Sequence, residues 1–191
     1  MTPLLFTLGA LLAILTCRFG LNGLARLASL EIRGGRYAVL AALAQLGTML
    51  TQQHRMAWLV LTTLLLLLFM WHNRRQPALL VAALGIALNF VAMGANGGSM
   101  PLSAATVAQV IEQPVAEGTF VPFSKGQVVD DATTPFMWLG DRFLLPGPLA
   151  NIAAWSIGDL LLVAGVGAWL WQIMKGTHDV QPARWQRTPS S

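Results

Sequence analysis

From Met56 to Trp71 the chain runs through sixteen consecutive residues without a charge, five of them the unbroken run Leu64-Leu65-Leu66-Leu67-Leu68. A helix that is apolar all round is stable in the core of a large protein or in a bilayer. A 191-residue chain has no room to bury several such blocks, and this one has more. They run from about residue 3 to 17, 37 to 51, 77 to 95 and 152 to 173. Composition agrees: 55% of residues are apolar and 10% charged, against about a quarter charged in soluble domains. Mean hydropathy is +0.60. The pattern excludes a disordered chain, a nucleic-acid module and an ordinary soluble enzyme, and names the lipid bilayer as the partner. The expected fold is all-α: one membrane domain, residues 1–191, with about five transmembrane helices.

A bilayer core of ~30 Å takes roughly 20 apolar residues as a helix, so the shorter blocks must tilt or extend. Pro77 opens the fourth block, a position where a helix tolerates proline. The first block lacks a basic leader and meets Arg18 where a signal-peptide cleavage site would lie, which reads as a retained helix. Alternation of five spans puts segments 18–36, 72–76 and 174–191 on one side. They carry Arg18, Arg26, Arg33, Arg36, Arg74, Arg75, Lys175, Arg184 and Arg187, leaving only Arg55, Lys125 and Arg142 opposite. The positive-inside rule then predicts an inner-membrane protein with its N-terminus outside and its 174–191 tail in the cytoplasm. Within 20–34, Leu21, Leu24, Leu27, Ala28 and Leu30 recur with helical spacing, the pattern of a short helix lying in the cytoplasmic interface.

The outer segment 96–151 has a different composition. It holds Glu112, Glu117, Asp130, Asp131 and Asp141, and most of the prolines. Phe120, Val121, Phe123 and Phe136-Met137-Trp138-Leu139 make it too apolar for disorder, so it reads as a lid folded over the helix ends. Pro101 to Gln113 is expected to be helical with Ser99 as its cap, and 135–139 to dip into the outer interface.

The polar residues around this lid are the candidate site. Asp159 falls one turn after Trp155, which marks the outer interface, and so ~6 Å inside the last span. An intramembrane carboxylate costs ~2.5–3.5 kcal/mol on insertion scales and normally pairs or faces a wet cavity. Asn89 and Gln45 are suited to bridging helices, and Gly158 with Gly165 forms a small-residue stripe that admits a close neighbour. An outward-facing pocket is therefore expected from Asn89, Asn96, Gly97, Gly98, Ser99, Asn151, Ser156, Asp141 and Asp159. Cys17 alone builds no disulfide, and His54, His72 and His178 lie on opposite sides, so neither a metal nor a cofactor is expected. No phosphate loop or nucleophile elbow occurs. Two readings remain open. Asp141 and Asp159 could form a catalytic dyad that shares one proton and hydrolyses a membrane-embedded peptide or lipid-linked substrate. Alternatively, Asp159 ties helices together in a non-catalytic scaffold or partner-binding protein. A transporter is disfavoured by the lack of an internal repeat.

Asn96-Gly97-Gly98-Ser99-Met100-Pro101, Thr134, Leu139-Gly140-Asp141 and Ser156-Ile157-Gly158-Asp159, in that order, resemble an uncharacterised bacterial integral membrane family, domain of unknown function 5317. The resemblance implies fold and location and brings no activity. The stretch Leu145-Pro146-Gly147-Pro148-Leu149 is longer than in that family. Asp141-Arg142 followed by Asp159 is more weakly similar to lipoprotein signal peptidase, an aspartyl protease. That similarity implies the dyad, but it departs in having five spans instead of four.

Overall fold

The computed structural model describes residues 2–30, 32–50, 54–111, 115–120, 126–144 and 154–176. Five long helices form the bundle: α1 (Thr2–Ala28), α2 (Gly35–Leu50), α3 (Arg55–His72), α4 (Pro77–Ala95) and α6 (Ile157–Lys175). Between α4 and α6 lies a cap of short elements: β1 (Met100–Ser103), α5 (Ala104–Ile111), β2 (Gly126–Val129), β3 (Phe143–Leu144) and β4 (Ala154–Trp155). In space the helices follow the order α1, α6, α4, α3, α2, each packed on the next.

The protein is a helical membrane protein. Residues 7–28 of α1, and α3, α4 and α6, are long and apolar enough to cross a bilayer. At 16 residues α2 is shorter, ~24 Å at 1.5 Å per residue. It nevertheless runs antiparallel to α3 along its length. Gly47 lies against the Trp58 ring near one end, and the Tyr37 and His72 rings stand 5.3 Å apart at the other. Outward-facing side chains are apolar, among them Val39, Leu40 and Leu43 on α2, Leu64 and Leu67 on α3, and Leu80 and Leu84 on α4. A contiguous exposed apolar belt of this kind belongs in lipid.

The first span and the connector after it form one helix broken at Gly20, whose φ of 62° and ψ of −161° are non-helical. Part of the segment expected to lie in the interface, residues 21–28, is thus continuous with the first helix after this kink. It is more than an anchor: the Arg26 guanidinium donates to the Met174 carbonyl at 2.9 Å, capping the last turn of α6, and Gly176 closes that helix at φ 82°. A cation on a helix C-terminus satisfies an orphan carbonyl and complements the dipole.

At the centre, α4 and α6 approach until backbone touches backbone. A Cβ on Gly85 would lie 2.4 Å from the Gly158 carbonyl oxygen, and one on Gly165 would lie 2.4 Å from the Ala82 nitrogen. The predicted stripe of Gly158 and Gly165 therefore meets small residues on α4, namely Gly85, Ala82 and Ala78. Below it Leu79, Ile86, Trp169 and Ile173 fill the space between the helices, with Phe69 and Met70 from α3. Trp169 is buried there, whereas Trp171 is exposed and meets Phe19 edge-on.

The cap departs from the expected helix over 101–113. Residues 100–103 form a strand that pairs in parallel with 126–129, and among the described residues of that stretch 104–111 are helical. Parallel neighbours need a crossover of a dozen or more residues, and α5 lies within it. All four residues of β1 are buried, so neither a period of two nor one of 3.6 is imprinted on that stretch. Its structure is set by a partner more than twenty residues downstream. Leu102 also bridges Asp141, and β3 pairs antiparallel with β4, which leads directly into α6. The last span therefore begins at Ile157, later than residue 152, and Trp155 is a buried strand residue, not an interfacial anchor.

Because the α4–α6 contact leaves no space for a side chain, Gly165→Val is expected to abolish the compact fold. Gly94→Ala, where a Cβ meets nothing within 4 Å, is expected to leave the melting temperature unchanged or slightly raised. Thermal unfolding of the purified protein in detergent separates the two.

Candidate functional site

Ser156 is the N-cap of α6. Its extended backbone (φ −93°, ψ 164°) stops the strand and lets its hydroxyl accept from the Asp159 N–H at 3.0 Å. The Asp159 carboxylate reaches back to the Ser156 N–H at 3.4 Å, completing a reciprocal capping box. A negative side chain in the first turn also complements the helix dipole.

The second helix joins through one amide. Asn89, on α4, donates from Nδ2 to Asp159 Oδ1 at 2.8 Å and accepts on Oδ1 from the Ser156 hydroxyl at 2.9 Å. Amide, hydroxyl and carboxylate close a ring in which each donor meets an acceptor. Ser156 is fully buried. The Gly158 backbone allows the approach, since a Cβ there would overlap the Asn89 side chain. Asp159 is thus the third residue of its helix, in the first turn, and not a turn deep within a span.

A second junction is built from the turn after α4. Asn96 donates to the Ala92 carbonyl at 2.7 Å and the Pro135 carbonyl at 3.0 Å, tying the helix end to the cap. Gly97 and Gly98 adopt left-handed φ values of 64° and 86°, and a Cβ on Gly98 would meet the Arg55 and Met56 backbone at 2.8 Å. Ser99 is buried and accepts from Arg55 Nη1 at 3.2 Å, so it does not cap a helix. Arg55 also lies over the Phe120 ring, 3.8 Å from its centroid. This turn therefore joins the start of α3 to the cap.

Asp141 belongs to a third group. Its N–H donates to the Pro101 carbonyl at 2.9 Å, while the Arg142 N–H donates to the Trp155 carbonyl at 3.1 Å. One segment thus stitches β1 to β4. Gly140 is required there, because a Cβ would sit 2.5 Å from the Pro101 oxygen. Thr134 donates to the Asp130 carbonyl, closing the turn after β2. Beside this lattice opens a cleft of about 380 Å³ lined by Ser103, Thr106, Asp131, Met137, Trp138 and Arg142.

Of the expected pocket residues, Asn89, Ser156 and Asp159 come together. Asn96, Gly97, Gly98 and Ser99 form the separate α3–α4 junction, Asp141 belongs to the cap lattice, and Asn151 lies outside the described residues. The capping box was readable, since Ser-x-x-Asp before an apolar run is its signature. Arg26, Gly85, Ser103 and Asp131 carry no local signal that distinguishes them from ordinary connector or surface residues.

The chain is a member of the family of unknown function DUF5317, whose model matches residues 29–171. An uncharacterized protein of Thermotoga maritima is 28% identical over 122 residues, covering 63% of this chain and 65% of the relative. The chain thus spans just under two thirds of that relative's length. No solved structure matches the chain. The similarity to lipoprotein signal peptidase remains an expectation from the order of the two aspartates.

Ser156→Ala removes the cap and is expected to cost about 1 kcal/mol of stability. Asn89→Leu removes the interhelical bonds at about 0.6 kcal/mol each by the membrane average, more where Ser156 is left without a partner. Chemical unfolding in mixed micelles measures both.

Proposed function

We propose that the protein is a non-catalytic, membrane-anchored binding module whose helix bundle holds a rigid cap on the outer face of a bacterial inner membrane. The observation that carries this reading is the closed ring of Asn89, Ser156 and Asp159. Both carboxylate oxygens of Asp159 accept hydrogen bonds that fasten one helix to another and cap its first turn. A carboxylate so engaged is suited to holding structure and poorly placed to exchange a proton with a substrate. The Asp141 N–H is engaged within the cap, on the Pro101 carbonyl.

The orientation rests on charge. Arg18, Arg26, Arg33, Arg36, Arg74, Arg75 and Lys175 all fall at the bundle end opposite the cap, which the positive-inside rule assigns to the cytoplasm. The relative in Thermotoga maritima supports a bacterial setting. The cap then faces outward, where lipid headgroups and partner segments are accessible to it.

Stability separates this reading from the catalytic dyad without an activity assay. Catalytic carboxylates are commonly held at some cost to stability, and replacing one is neutral or stabilising. A cap and interhelical tie behaves oppositely. Asp159→Ala is expected to lower the melting temperature by several degrees, and Asp159→Asn, which keeps an acceptor for Asn89, by much less. An Asp159→Ala protein as stable as the parent, or more so, would overturn the structural role and favour the dyad.

A further inference from the structure

The cleft in the cap is lined by none of Asn89, Ser156 and Asp159. Its polar chemistry is divided between two groups of opposite sign. Asp131 is steadied by the buried Ser103 hydroxyl, which donates to its Oδ2 at 2.9 Å. Arg142 is carried by the segment pinned between β1 and β4. Among the described residues no ion pair joins Asp131 to Arg142, although both line the same cleft. A ligand of a single charge would meet a like charge on one wall. A ligand with an anion and a cation a few atoms apart meets a partner for each.

The position of the cleft narrows the class. Its Met137–Trp138 wall continues into Leu139, which is buried with Leu59, Ala92 and Met93 at the ends of α3 and α4. The Asn96 bond to Pro135 fixes the start of the same turn to α4. Trp138 itself is 55% exposed. The wall therefore stands where these helices leave the bilayer, the layer occupied by headgroups and favoured by tryptophan.

We propose that this cleft binds a phosphoethanolamine group. The Arg142 guanidinium takes the phosphate oxygens through paired N–H donors. The Asp131 carboxylate accepts from the primary ammonium, and the Trp138 face lies beside the ethylene and the cation. The proposal rests on reading the cap as a binding module.

Native mass spectrometry of the delipidated full chain, titrated with phosphatidylethanolamine, phosphatidylcholine and phosphatidylglycerol of matched acyl chains, tests it. Phosphatidylethanolamine is expected to be retained about tenfold more tightly than either of the others, the equivalent of one lost charge-assisted hydrogen bond. Phosphatidylcholine has no N–H for Asp131, and phosphatidylglycerol has no cation. Arg142→Gln is expected to weaken phosphatidylethanolamine about tenfold, and Asp131→Asn to erase its advantage over phosphatidylcholine. Displacement of the lipid by free phosphoethanolamine at comparable concentration identifies a soluble ligand with the same chemistry, while resistance to displacement identifies the lipid. Thr106→Trp, which fills the cleft, provides a second block. Equal retention of the three lipids, or parental binding by all three variants at parental melting temperature, overturns the proposal. Either result leaves the role of Asp159 standing, because that role is read from stability alone.

Discussion

In lipid, apolar helices gain nothing by hiding from their surroundings, so something other than hydrophobic burial must decide which of them touch. Here it is the backbone contact between α4 and α6. Gly85, Gly158 and Gly165 let the two helices approach until one helix's atoms occupy the space of the other's missing side chains. At that distance the Asn89 amide reaches the first turn of α6 and binds both its cap and its carboxylate. The remaining helices are arranged around this pair, with α1 against α6 and α3 against α4.

The same contact determines the cap. A chain that leaves α4 at Ala95 must return to Ser156 beside it, and the intervening segment closes on itself through β1–β2 and β3–β4 pairing. Its attachments fall on the helix ends: Asn96 to Pro135, Ser99 to Arg55, and Leu139 among Leu59, Ala92 and Met93. The cap is therefore held at the ends of several helices. Such attachments differ from those of a mobile lid, which keeps few buried contacts.

How much of this was legible depended on how local the cause was. Blocks of apolar residues reveal the bundle because length and composition alone make a spanning helix, and the stripe of Gly158 and Gly165 marked the helix that would be closely approached. Asn89, Ser156 and Asp159 were singled out as polar exceptions, yet their roles as cap and tie depended on the register of two helices. Residues 100–103 are ambiguous in sequence because Pro101 suits a helix start as well as a strand, and β2 makes the choice from a distance. Trp155 suits an interface marker by residue type, whereas tertiary packing buries it. Arg26 is one basic residue among many until the kink at Gly20 directs it onto the end of α6.

The central claim is that Asn89 and Asp159 act together to hold α4 on α6. A double-mutant cycle on unfolding free energy, with Asn89→Ala, Asp159→Ala and the pair in one lipid–detergent mixture, measures that link directly. The account predicts a coupling of about 0.6 to 1.7 kcal/mol, from the average to the largest value found for hydrogen bonds between membrane helices. Strictly additive losses would show that the two residues act independently, and would contradict it.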